Sequence, residues 1–135
     1  MNIYIHLEIT ARELDSKLLL AVLAASRGHS VIISNITEFN IGLKNKLFNP
    51  GIFHTKSLTP SDTKINKHQK IIDNDFMITS IDEEHGLLED DYEIFIKGRF
   101  SNESINQSSA IFGWGPKDSK LLKQIFPKHS SKIHN

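Results

Sequence analysis

Asn2-Ile-Tyr-Ile-His-Leu7, then Glu8-Ile-Thr10, a run from Ala11 to Ser26, Gly28, and finally His29-Ser-Val-Ile-Ile-Ser34 decide the fold. The β-branched and aromatic residues of the first segment predict a strand that Glu8 ends. Thr10 and Glu13 have the Thr-x-x-Glu form of a capping box, with Ala11 as the first helical residue. Leu14, Leu18, Ala21, Val22 and Ala25 keep helical spacing and predict one buried face. Leu19, Leu20 and Leu23 widen it, which predicts a helix covered on more than one side. Gly28 stands where a left-handed cap would end the helix, and His29–Ser34 reads as the second strand. The unit is βαβ. Its turn holds no glycine, so it does not have the form of a dinucleotide-binding Gly-x-Gly-x-x-Gly loop.

The same alternation continues outward. Residues 35–48 predict a second, less regular helix. Asn49-Pro50-Gly51 is a turn, and 51–55 a short third strand. Thr59-Pro60-Ser61-Asp62 predicts a helix start with Thr59 as cap and Pro60 at the first position. Its helix carries Lys64, Lys67, His68 and Lys70, a basic face that reads as solvated surface. The apolar run Phe76–Ile81 predicts a fourth strand. Residues 87–100 predict a helix, 101–109 a helix or loop, and 110–113 a fifth strand. Leu121, Leu122 and Ile125 give 118–126 helical spacing. Pro127 and the polar 128–132 segment break it, and 133–135 reads as the opening of another strand. Alternating strands and helices imply parallel pairing with helices on both faces. The expectation is a Rossmann-like three-layer α/β/α domain with a mostly parallel sheet of about five strands, spanning 1–135.

The totals fit that expectation. The chain has 135 residues with 16 basic and 16 acidic side chains and no net charge. A zero balance argues against a nucleic-acid module held by a broad basic face. The chain has no cysteine, so it has no disulfide framework, thiolate nucleophile or cysteine-based zinc site. The longest apolar run, 18–25, is far short of a membrane span. The amino terminus has no basic segment of a secretory signal. The expected location is cytoplasmic, with contact at the inner face of a membrane left open.

Phe76-Met-Ile-Thr-Ser-Ile-Asp82-Glu83-Glu84-His85-Gly86 carries the densest chemistry. Three carboxylates and an imidazole follow an apolar strand, and function in an open parallel sheet gathers past the carboxyl ends of strands. There they could act as acids or bases on a hydroxyl. The alternative is that the acids simply open the next helix, where its dipole favours them. Adjacent residues alternate sides in extended chain, so one or two of the three would point inward. Glu8, Arg12, Glu13 and Lys17 flank the first turn, and the ends of the first and fourth strands can share one cleft. Arg12 or Lys17 could hold a phosphate or a sugar carboxylate, Arg bidentately. Ordinary helix-surface charge is the alternative, worth little in stability. Phe112-Gly113-Trp114-Gly115 sets an indole at a strand end, able to stack on a sugar or to pack a corner. The seven histidines show no metal-ligand spacing such as His-Glu-x-x-His, and no Walker loop or Gly-x-Ser-x-Gly elbow appears.

Glu8, the run Arg12-Glu13-Leu14-Asp15-Ser16-Lys17-Leu18-Leu19-Leu20-Ala21, Arg27-Gly28-His29, Lys56-Ser57, Asp82-Glu83-Glu84 and Phe112-Gly113-Trp114-Gly115 occur in that order. Together they resemble bacterial surface carbohydrate biosynthesis proteins, which look like GT-B glycosyltransferases of capsule and lipopolysaccharide assembly. The resemblance covers essentially the whole chain. It departs at His85, where the family pattern has glycine directly after the acids. It also departs at the carboxyl end, where the family continues into a second Rossmann-like domain. The resemblance implies an amino-terminal, acceptor-side half of a transferase, truncated before its donor-binding half. Asp82, Glu83 and Glu84 would then be the catalytic or acceptor-orienting acids. Glu8, Arg12, Glu13, Lys17, His85, Gly113 and Trp114 would line the substrate cleft. The implied partners are a nucleotide-sugar donor, bound mainly by the second domain, and a saccharide acceptor. Nucleic acid, a cofactor and a metal are not called for. A different class remains open: a non-catalytic binding or scaffold domain that needs a partner chain. A phosphoaspartate-type regulatory domain fits poorly, because no lone acceptor Asp follows the third strand.

Overall fold

A computed structural model describes the chain at residues 1–84 and 92–135, and His85 lies outside them. Among the described residues, strands and helices alternate as β1 (Asn2–His6), α1 (Thr10–Ser26), β2 (Ser30–Ser34), α2 (Ile36–Lys44), β3 (Ile52–Thr55), α3 (Asp62–Ile72), β4 (Met77–Ile81), α4 (Tyr92–Arg99), α5 (Asn102–Asn106), β5 (Ala110–Phe112), α6 (Pro116–Ile125), a 3₁₀ turn (Pro127–Lys132) and β6 (Ile133–His134). All strand pairs are parallel, in the order β2-β1-β3-β4-β5-β6. The sheet has six strands rather than about five. Ile133 and His134, read as an opening strand, pair with Ile111 and Phe112 of β5 and complete it.

Register sorts the side chains onto two faces. Tyr4, Phe53 and Ile78 are level across the sheet, and Thr55, Ser80, Ile111 and Ile133 are level one step further on. These point to one face, where Phe39, Ile71, Ile96, Ile105 and Leu122 from α2 to α6 meet them in a single core. Tyr4, Phe39, Phe53 and Phe76 form its aromatic centre, with ring centroids 4.6 to 5.6 Å apart. Each fully buried side chain of this kind contributes about 1.5–3 kcal/mol, so most of the hydrophobic stabilisation lies on this side.

The opposite face carries Ile3, Ile5, Ile52, His54, Thr79, Ile81 and Phe112, and α1 is the helix that packs on it. A right-handed crossover puts α1 there, because β1 to β2 is the one step that runs backwards along the sheet. The face α1 turns inward is not the expected one. Glu13, Lys17 and Ala24 are buried, while Leu18, Leu19, Leu20, Val22 and Leu23 are 38–63% exposed. The helix is apolar nearly all round, so the ionic partners of Glu13 and Lys17 decide its rotation.

Two helix starts also differ from expectation. The α1 cap is Ile9, with no side-chain cap bond, because Glu13 turns to the Glu8 N–H instead (2.9 Å). The cap of α3 is Ser61, whose hydroxyl accepts from the Lys64 N–H (3.3 Å), rather than Thr59. Its extended backbone (φ −115°, ψ 144°) suits a cap, and Asp62 is the first helical residue. Gly28 ends α1 as expected, at φ +82°. No described helix is long and apolar enough to cross a membrane.

Candidate functional site

The carboxyl ends of β1, β3 and β4 bring the expected charged residues to one rim. β4 ends at Ile81, and the turn that follows divides the three acids, with the Glu84 N–H donating to Asp82 Oδ1 (3.0 Å). Asp82 and Glu84 turn to the face that α4 covers, where Arg99 grips both. Its Nη2 and Nε donate to Asp82 Oδ1 and Oδ2 (2.8 and 3.0 Å), and its Nη1 to Glu84 Oε2 (2.9 Å). Glu83 turns to the other face and pairs with the buried Lys17 of α1. Lys56, just past β3, joins this to the first turn by pairing with Glu8 and with Glu13 Oε1 (3.1 Å). Arg12 closes the circuit, 3.0 Å from Glu13 and 4.0 Å from Glu84.

The first turn and the acidic tip are therefore neighbours, with β3 between them supplying Lys56. Electrostatics follows the wiring. Burial would raise the Glu13 carboxyl, but the Glu8 N–H, Arg12 and Lys56 hold it down at about 2. The hydrogen bond from Lys56 lowers Glu8. Burial works against the Lys56 and Arg99 cations, and their carboxylate partners outweigh it, so both stay firmly protonated.

Exposure separates two classes of acid. Asp82 and Glu13 are almost wholly buried, with side chains 1% and 3% exposed, whereas Glu8 is 56% and Glu84 41% exposed. A solute reaches Glu8, Arg12 and Glu84; Asp82 and Lys17 hold the rim together. Trp114 stands beside them. Its indole Nε1–H donates to the Asp82 carbonyl (2.6 Å) while the residue stays 59% exposed, so it both ties β5 to the rim and offers a face for stacking. Gly113 has a packing reason instead: a Cβ there would lie 2.4 Å from Ser119 Oγ and 2.9 Å from Asp118 Oδ2. No group of three or more His, Asp or Glu suited to a metal occurs among the described residues.

Residue reasoning alone passed over Lys56, which entered only through the resemblance, and the role of Arg99. Lys56 carries the same signal as the acids, being the first residue past a strand end. Arg99 carries no local signal, because its partners lie 15 and 17 residues away. No family model matches the chain, and no curated protein and no solved structure matches it.

Proposed function

We propose that the chain is the amino-terminal, acceptor-side domain of a glycosyltransferase-like surface carbohydrate biosynthesis protein. In this reading a sugar passes from a nucleotide-activated donor to a growing saccharide. The supporting observation is the meeting of Arg12 and Glu84 across the rim, beside Glu8 and the exposed indole of Trp114. Carboxylates and a guanidinium suit sugar hydroxyls, and an indole face suits a sugar ring. The wiring narrows the proposed roles. Glu84 and Glu8 would contact the acceptor hydroxyl, while Asp82, Glu83, Glu13 and Lys17 keep the rim in shape.

The test is an NMR titration of the labelled chain with surface oligosaccharides. Shifts gathered at Glu8, Arg12, Glu84 and Trp114, with little response to a nucleotide-sugar, are the expected result. Tight nucleotide-sugar binding, or no saccharide response, would overturn the reading.

One observation favours the alternative of a non-catalytic domain that seeks a partner chain. An apolar groove of about 430 Å³, lined by Ile3, Leu20, Ile52, Ile81 and Phe112, opens beside α1. Around it Leu18, Leu19, Leu20, Val22, Leu23, Met77 and Phe112 are each 38–63% exposed. Partner capture through this groove with no saccharide response at the rim would favour this alternative.

A further inference from the structure

The order β2-β1-β3-β4-β5-β6 has its switch point between β1 and β3: the chain leaves β1 toward one edge of the sheet and leaves β3 toward the other. In open parallel sheets, ligands bind beyond the strand ends at such a point. A cavity of about 130 Å³ lies there, on the side of α2 and α3. It is lined by His6 of β1, Thr55 and Lys56 at the end of β3, Lys64 and His68 of α3, and Glu8 at its mouth.

Two features of this cavity lack an internal explanation. The buried Nδ1 of His6 has no hydrogen-bond partner. The half-buried Lys64 donates to the Ser57 hydroxyl but, among the described residues, ion-pairs with no carboxylate. Lys56 is paired directly with Glu8 and Glu13, whereas Lys64 feels Asp82 and Glu8 only at longer range, against the cations Arg99 and Lys56. A partly desolvated ammonium with no direct ion pair, lining the same cavity as an orphaned imidazole nitrogen, is the complement of an anion with several acceptor oxygens.

We infer that this crevice binds a terminal phosphate group, with Lys64 as its counter-ion and His6 and His68 as hydrogen-bond donors. The volume equals about four waters, enough for one phosphoryl head. The proposal is independent of the transferase reading.

Charge explains the choice of ligand further. Burial first, and then Lys64 and each other's neighbourhood, hold His68 at about 4, and burial holds His6 at about 4. Burial and Arg99 lower the Lys64 ammonium. The groups facing the imidazoles are Glu8 beyond β1, Lys56 beyond β3, and Lys64 and Lys67 on α3, with Lys17 acting on His6 from α1. The balance is cationic. A bound phosphate dianion reverses it and favours the protonated, doubly donating form of both imidazoles.

The experiment is to follow the His6 and His68 imidazole resonances while adding sodium phosphate, against sodium chloride and sodium acetate at matched ionic strength. Saturable shifts with phosphate alone are expected. Lys64→Gln should weaken binding at least about tenfold, the loss expected for one charge-assisted contact. Lys44→Gln, on the outer surface of α2, should leave it unchanged. Lys64→Met is the second variant: it should raise the melting temperature in the absence of phosphate while abolishing the response to it. A sugar phosphate that binds more tightly than phosphate, with shifts spreading to Glu8, would extend the site to a monoester. Equal shifts with chloride, no saturation, or an unaltered Lys64→Gln would overturn the proposal.

Discussion

Three consecutive carboxylates follow β4, and the turn they enter sends them to different partners. Asp82 is 1% exposed and receives two bonds from Arg99, so its charge bears on the stability of the rim. Removing its charge leaves a half-buried guanidinium without its main counter-ion, a change worth about 3 kcal/mol for a buried pair. Glu84 is 41% exposed, and its pairs are of the kind that contribute about 1 kcal/mol or less. Asp82→Asn should therefore lower the urea midpoint far more than Glu84→Gln. Equal losses would show that the Arg99 pair is not what holds the rim. That only some of the three acids would point inward was legible in the sequence; which of them do was not, because the chain turns at Glu83 and Glu84. Arg99 was not, because a contact between a strand end and a helix end depends on the packing of α4. The apparent capping box of Thr10 and Glu13 was misleading for a related reason. Glu13 accepts from the Glu8 N–H instead of closing a box with Thr10, and Arg12 with the distant Lys56 holds it there.

At the scale of the element, α1 shows where periodicity stops informing. Apolar residues occupy almost every side of this helix, so spacing cannot choose which side is buried. Two charged residues choose it. Glu13 and Lys17 turn inward to Lys56 and Glu83, and the leucine ridge is left facing out. Leu19→Gln, at a site 62% exposed, should then change the unfolding free energy by no more than about 0.5 kcal/mol. Ile5→Ala, on the strand face beneath α1 and 1% exposed, should cost about 3 kcal/mol. Denaturant melts of both variants decide the matter. A loss with Leu19→Gln as large as that with Ile5→Ala would restore the leucines to a core. The cap at Gly28 was readable throughout, because a left-handed residue after a helix is a local demand that glycine meets without a partner elsewhere.

At the scale of the whole molecule, alternation announced the parallel α/β class, and the handedness of crossovers fixed which face each helix takes. Strand order is a different kind of information. It depends on where the α2 crossover lands β3, on the far side of β1, and no local pattern encodes that step. Its consequence reaches the pH behaviour of the fold. His6, His54 and His68 come from three different elements, and burial holds each at about 4 in the folded state. His54, on the α1 face, is bonded through Nδ1 to Thr79 Oγ1 (2.9 Å). Their unfolded value is about 6.5, so between about pH 6.5 and pH 4 the unfolded chain binds more protons than the folded one. Stability is thus fully present above about pH 6.5 and falls as the pH drops toward 4, by up to about 1.4 kcal/mol per pH unit for each histidine. Glu13, at about 2, extends the loss below pH 4.5. Urea melts from pH 7.5 to 4.5 should show this decline, and His68→Gln should make it shallower by about one histidine's share. A flat profile between pH 7 and 5 would mean that the three imidazoles are solvated, and the sheet faces around them far more open than the packing describes.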